Sequence, residues 1–103
     1  MMTYEYAAKK IKEIYEENLD HIKKIRKMVE PNPDWVDLTT WFTILDGCLN
    51  EFSAATNVVI DIYIELSNGE CENWRELHKL KYELSEKLKT EVSKNRNEIE
   101  CAF

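Results

Sequence analysis

The amino-acid sequence predicts an all-α fold of three long helices in an up-down-up antiparallel bundle, in which the middle helix is the longest. Its 103 residues include only two glycines and two prolines, so the chain has few turns and therefore few, long elements. Apolar residues recur at steps of three and four, the period of amphipathic helices. Turn-forming residues concentrate near positions 31–33 and 67–69, and these breaks divide a single domain, residues 1–103, into three helices.

The first helix is predicted over about residues 4–29. Its apolar row consists of Ala8, Ile11, Tyr15, Ile22, Ile25 and Val29. Thr3 suits the N-cap because its hydroxyl can accept a hydrogen bond from a free backbone N–H. Pro31 ends the helix because proline disfavours helical geometry in the residue before it. Asn18 falls within the apolar row, where it either fixes the register of the packing or lies at the rim.

The second helix is predicted over about residues 33–66. Asn32 suits the N-cap, Pro33 the first helical position and Asp34 the positive end of the helix dipole. Apolar residues then keep steps of three and four throughout. The run of β-branched residues at 58–64 is also typical of a strand, but the helical register continues through it and favours a helix.

The third helix is predicted over about residues 73–94. Asn73 and Glu76 have the spacing of a capping box at its start. Its apolar row consists of Trp74, Leu77, Leu80, Leu84, Leu88 and Val92. Because apolar residues become sparse after Leu88, the C-terminal tail from about Lys94 onward is predicted to fray.

The net charge of −6 is unevenly distributed, since residues 31–70 contain seven acidic side chains and no lysine or arginine. Nucleic-acid binding needs clustered cations that displace counterions from phosphate groups, so direct binding of DNA or RNA is not expected. The acidic middle third would instead suit a basic protein partner. The alternative is that these acids form a solvated helix edge or pair with lysines of the first helix.

The cysteine pattern and the N-terminus predict a cytoplasmic protein. The three cysteines are an odd number without a CxxC pair, and the N-terminus lacks the apolar segment of a secretory signal. The thiols are therefore expected to be reduced, with Cys48 as a small core residue. The longest apolar run, residues 58–64, includes Asp61 and is far too short to span a bilayer, so no membrane association is expected.

Four carboxylates share one face of the predicted first helix: Glu13, Glu16, Glu17 and Asp20. Such a cluster can hold Mg²⁺ in all-α nucleotide pyrophosphohydrolases. Here the cluster points away from the apolar row and alternates with lysines, and Lys24 is placed to pair with Asp20. A solvated face is the favoured interpretation. No catalytic residue, metal site or cofactor is therefore predicted.

The remaining polar candidates have ordinary structural explanations. Neither histidine has the spacing of a metal site; His21 is expected half-buried at the edge of the core, and His78 is expected to pack between Trp74 and Tyr82. A polar row on the middle helix consists of Asp46, Asn50, Asn57 and Asp61. It either lines a cleft or is the wet edge that every amphipathic helix needs, and the wet edge is favoured.

The middle helix carries more apolar surface than two neighbouring helices can cover. Ile60 and Ile64 add a third apolar side, which predicts a homodimer, the commonest symmetric oligomer. Trp35, Trp41 and Phe42 lie opposite the sparse end of the third helix, which leaves either a contact surface for a partner or a patch covered by loops and tail. The residues predicted to bind a protein partner on this acidic, aromatic surface are Asp34, Asp37, Trp41, Asp46 and Asn50.

Two functions fit these features. The preferred one is a non-enzymatic protein-binding module, either an adaptor or an inhibitor of a larger complex. Counter-defence in phages or mobile elements is a typical setting for small acidic helical proteins of this kind. The alternative is a helical bundle that binds or hydrolyses a nucleotide-like small molecule at a subunit interface. An inward-facing acidic cluster would favour this alternative, and a flat acidic and aromatic face would favour the binding module.

Overall fold

The computed structural model describes residues 2–29, 36–67 and 73–102, and it confirms the all-α prediction. Helix α1 spans Tyr4–Met28, α2 spans Leu38–Leu66 and α3 spans Trp74–Ala102, and these described ranges contain no strand. The middle helix has 29 residues, the greatest length among the described helices, and α3 shares this length, whereas α1 has 25 residues. None of the three described helices combines enough length with enough apolar residues to cross a lipid bilayer.

The ion pairs between helices show how the three helices run. Each helix packs against both others. The guanidinium of Arg26 lies 3.0 Å from the carboxylate of Glu98, so the C-terminal halves of α1 and α3 lie together and these helices are parallel. Arg96 lies 3.8 Å from Asp46, near the start of α2, so α2 runs antiparallel to α3. The up-down-up bundle is therefore confirmed, with dimensions of 53 × 20 × 17 Å.

Two local predictions from the sequence are confirmed. The Thr3 hydroxyl accepts a hydrogen bond of 3.1 Å from the backbone N–H of Tyr6, so Thr3 is the N-cap of α1. The β-branched residues 58–64 all lie within α2. Both features depend on neighbours in the chain or on helical periodicity, which sequence alone supplies.

The predicted start of the second helix near residue 33 is wrong. The helix begins at Leu38, and its N-cap is Asp37, whose carboxylate accepts a hydrogen bond of 2.8 Å from the backbone N–H of Thr40. The predicted cap residues 32–34 lie outside the described residues. The sequence offers a side chain suited to capping both at Asn32 and at Asp37. The backbone is extended at Asp37, so the helix begins immediately after this residue.

The predicted end of the third helix near residue 94 is also wrong, because α3 continues to Ala102. The last turns are held by tertiary contacts. Asn95 is buried and Ile99 is fully buried in the core, one helical turn apart. Glu98, between them, pairs with Arg26 on α1. Sparse apolar residues are thus sufficient here because Val92 and Ile99 both lie on the inner side of the helix.

All three helices contribute to one continuous core, with α2 as its centre. The largest fully buried apolar side chains are Ile11, Ile22, Leu45, Phe52, Ile60, Leu77, Leu88 and Ile99. Phe52 lies near the midpoint of α2, between the other two helices, and is the largest of them. This position makes α2 the spine of the bundle.

Asn18 lies inside the core and not at its rim. Its amide Nδ2 donates a hydrogen bond of 2.9 Å to the carbonyl oxygen of Ile14, one turn earlier in α1. Its Oδ1 is buried without a hydrogen-bond partner, which is true of no other side-chain atom in the described residues. A buried, unsatisfied acceptor costs about 1–3 kcal/mol. The rim interpretation is therefore wrong, and a role in fixing the register stays a prediction.

Candidate protein-interaction surface

Exposed aliphatic side chains form a line along α2. They are Ile44, Val58, Ile62 and Leu66, each between 40% and 56% exposed. Since successive helical residues turn by about 100°, these four lie within about 40° of Ile44 around the helix axis. We call them the apolar face. Aligned aliphatic side chains that remain exposed are typical of interaction surfaces.

The residues between Ile44 and Val58 keep the apolar face open. On the same side of α2 lie Gly47, Glu51 and Ala54, all exposed, and only Glu51 has a long side chain. On the neighbouring helix, Met28 is exposed beside Ile44. The apolar face therefore has a low central section with larger side chains at both ends.

The charge that α2 itself places next to the apolar face is acidic. Helix α2 contains four acidic residues and no lysine or arginine, and Glu51 and Glu65 lie exposed along the face. Because no cation lies on α2 itself, these carboxylates are not neutralised by ion pairs within the helix. The surface therefore favours partners that carry both apolar and basic side chains.

The polar row of α2 lies against α3. Asp46 faces the guanidinium of Arg96, and the ammonium of Lys81 donates a hydrogen bond to Asn57. Burial lowers the pKa of Lys81, while the nearby Asp61 carboxylate acts in the opposite direction. In the described ranges, the α2 carboxylate that forms an ion pair is Asp46, and its partner lies on α3. This arrangement fits the wet edge of the helix better than a cleft.

Trp41 was predicted to contact a partner, and this prediction is wrong. Its side chain is only 3% exposed and belongs to the core. The extended C-terminal part of α3 covers this end of α2, since the guanidinium of Arg96 lies 4.4 Å from the centre of the Phe42 ring. Trp35 lies outside the described residues.

The other residues predicted to bind a partner differ in their exposure and in the contacts they already make. Asp34 lies outside the described residues. Asp37 is exposed but serves as the α2 N-cap, and Asp46 is half-buried and faces α3. Asn50 is exposed. Because Asp46 and Asn50 lie about 160° and 120° from Ile44 around the helix axis, they do not border the apolar face.

Of the two residues predicted to form a homodimer interface, only Ile64 reaches the surface. Ile60 is fully buried among the three helices, so its assignment to a dimer interface is wrong. Ile64 is partly exposed but lies on the opposite side of α2 from the apolar face. The homodimer itself stays a prediction, without Ile60 in its interface.

Ile44, Val58 and Ile62 belong to the apolar pattern of the second helix, but the sequence analysis does not single them out as surface residues. A usable signal was present, because α2 has apolar residues on both sides of its core row. A helix with two neighbours can bury only part of so wide an apolar sector.

The acidic cluster of α1 faces outward, as expected. The carboxylate of Glu13 pairs with Lys10 at 3.3 Å, and the predicted pair between Asp20 and Lys24 is present at 2.8 Å. Within the described part of the chain, no three His, Cys, Asp or Glu side chains come close enough to hold a metal ion. The α1 acids are therefore placed for contacts with water and lysine.

Both histidines and one cysteine were given structural roles from the sequence. The Trp74 and His78 rings meet edge to face with centres 5.6 Å apart, which confirms the first part of the aromatic packing. His21 is exposed and not half-buried, because it lies on the outer side of α1 at the border with α2. Cys48 is buried as predicted, and burial raises the pKa of its thiol.

Comparison with family models, curated proteins and solved structures gives no match for this chain. The function is therefore inferred from the residues of this chain alone.

The Asp37 cap should make stability depend on pH. Hydrogen bonds from the Thr40 hydroxyl and then from its backbone N–H lower the pKa of Asp37 in the folded state. The stability that the ionised cap supplies is present above the unfolded-state pKa and is lost as the pH falls through the lower, folded-state pKa. We expect Asp37→Ala to lower the melting temperature at about pH 7 and to have a smaller effect at about pH 2.

Thermal melts followed by circular dichroism at both pH values would measure this difference. Glu17→Ala is a suitable control, because Glu17 is exposed and lies in the interior of α1, where it caps no helix end. An equal effect of Asp37→Ala at both pH values would contradict the role of the charge.

Proposed function

We propose that this chain is a small non-enzymatic protein-binding module, an adaptor or an inhibitor of a larger complex, that binds a basic protein through the apolar face. The observation that carries the proposal is the line of four exposed aliphatic residues on α2, a helix without a single cation. Burying such side chains supplies affinity, and the neighbouring carboxylates favour a partner with lysine or arginine.

The architecture of the chain supports this use of α2. The helix is held on its inner side by α1 and α3, so its outer side is presented on a rigid support. Interfaces on preformed helices lose little conformational entropy on binding. Inhibition of a larger complex in phage or mobile-element counter-defence, within the cytoplasm, would require no more than this one surface.

The double variant Val58→Lys with Ile62→Lys tests the proposal. It removes two aliphatic contacts and places two ammonium groups where a basic partner would dock, so we expect partner affinity to fall at least about tenfold. The tagged protein and the variant would be compared by quantitative capture from a lysate of the native host, followed by mass spectrometry.

The control is Tyr82→Lys, which replaces an exposed aromatic residue on α3 away from the apolar face. Circular dichroism should show the same helix content for all three proteins, since the substituted side chains are exposed. Capture of the same partner in equal amount by the double variant would rule out the apolar face as the binding surface. Equal loss in Tyr82→Lys would point to a general effect of added charge.

A further inference from the structure

A groove of about 500 Å³ lies between α1 and α2 at the Ile44 end of the apolar face. Its walls are largely apolar and include Met28 on α1 and Ile44 on α2, both of which are exposed. Gly47 forms part of the floor, and Glu51 stands at the rim. The groove therefore combines apolar walls, an open floor and an acidic edge.

Gly47 is not required by the packing of the chain itself. A Cβ atom added to it would meet no other atom within 4 Å. Glycine in the interior of a helix weakens that helix relative to alanine, so at this position it lowers stability without relieving a contact. Its missing side chain does leave room for a group from outside to approach the α2 backbone.

The charges around the groove indicate what would occupy it. Glu51 has no cation on its own helix. Lys24, at the opposite rim, is already paired with Asp20 at 2.8 Å. A second copy of this chain would bring a further net charge of −6, which opposes association of copies. A basic segment of another protein complements the groove.

We infer that the groove anchors a large apolar side chain from a basic amphipathic helix of another protein, which lies along α2 over the apolar face. This inference rests on the proposed function and specifies its partner. From Ile44 to Leu66 the apolar face extends about 33 Å, which matches a partner helix of about 22 residues. The lysines or arginines of that helix lie beside Glu51 and Glu65, and its apolar row covers Val58 and Ile62.

Synthetic helical peptides provide a defined probe. One peptide is an amphipathic helix of leucine and lysine, and the other has glutamate at every lysine position. Fluorescence anisotropy of labelled peptides would measure their affinity for the protein. We expect the leucine–lysine peptide to bind at least about tenfold more tightly than the leucine–glutamate peptide, because only the first complements the carboxylates of α2.

Two matched variants separate the groove from the rest of the helix. Gly47→Leu fills the floor of the groove and should weaken binding of the leucine–lysine peptide at least about tenfold. Ser53→Leu adds the same side chain at an exposed site about 120° away around α2 and should leave the affinity within about twofold. Gly47→Ala should raise the melting temperature, since its methyl group meets no neighbour.

The anchor groove would be overturned if Gly47→Leu left the affinity for the leucine–lysine peptide unchanged. If the Val58→Lys and Ile62→Lys double variant lost this binding at the same time, the proposed function would remain intact. If Gly47→Leu and the double variant both bound the leucine–lysine peptide as tightly as the unsubstituted protein, the anchor groove and the proposed function would both be overturned. Equal affinity for the two peptides would contradict the basic partner. If Gly47→Leu lowered the free energy of unfolding, side chains of this protein would already fill the groove. If the protein were a dimer that Gly47→Leu dissociated, the occupant would be a second copy of the chain. Either result would overturn the inference.

Discussion

Replacing Phe52 by alanine should lower the free energy of unfolding by about 3–5 kcal/mol, the usual cost of truncating a buried phenylalanine. Phe52 is fully buried near the midpoint of α2, where the side chains of all three helices meet. The substitution removes apolar contacts and leaves a cavity that the three packed helices cannot fill by small shifts. Since a domain of this size has a total stability of about 5–15 kcal/mol, the effect should be large.

Urea denaturation followed by circular dichroism would measure the change. Tyr82→Ala is the matched control, because Tyr82 is an aromatic residue whose side chain is 66% exposed on α3. It should change the free energy of unfolding by no more than about 0.5 kcal/mol. A cost below about 1 kcal/mol for Phe52→Ala would show that α2 is not the spine of the core.

The second large effect is expected at the C-terminal end of α3. Ile99→Ala should lower the free energy of unfolding by about 2–5 kcal/mol, because Ile99 is fully buried in the core. The surrounding turn is fixed by the contacts of Glu98 with Arg26 and of Arg96 with Phe42, which limits local collapse around the cavity. The same denaturation experiment would measure the change.

The nearby exposed residue Cys101 provides the control, since Cys101→Ala removes a side chain that makes no core contact. Its effect should stay within about 0.5 kcal/mol. An equally small effect of Ile99→Ala would restore the interpretation that the chain frays after residue 94.

The proposed function gives helix α2 two roles that substitutions can separate. Its inner side, with Phe52 and Ile60, stabilises the bundle, whereas Val58 and Ile62 on its outer side remain exposed. Changes to the inner side should reduce stability and, with it, binding. Changes to the outer side should reduce binding more than stability, because Val58 and Ile62 remain 56% and 40% exposed in the free protein. This separation distinguishes an interaction surface from an apolar excess without function.

The outward α1 acids bear on the alternative function, a bundle that binds or hydrolyses a nucleotide-like molecule. A metal-bound pyrophosphate would need carboxylates from facing helices directed at one point. Here Glu13 and Asp20 pair with lysines of their own helix and face outward. The described geometry therefore offers no specific support for this alternative.

The sequence by itself determined the features that depend on local chemistry. The Thr3 cap follows from a hydrogen bond to a residue three positions away, and the helical state of residues 58–64 follows from apolar periodicity. The outward direction of the α1 acids follows in the same way. Short-range interactions of this kind are fully specified by the order of residues along the chain.

Only the tertiary structure decided which apolar residues of α2 are buried. Trp41 and Cys48 lie inside, whereas Ile44 and Ile62, less than about 60° away around the helix, lie outside. Likewise, Ile60 is fully buried, whereas Ile64, one helical turn later, is partly exposed. The rotation of α2 is set by its packing against α1 and α3 together, and no single sequence window contains both neighbours. The length of α3 was decided likewise, because its last turns are stabilised by contacts with residues 50 or more positions earlier in the chain.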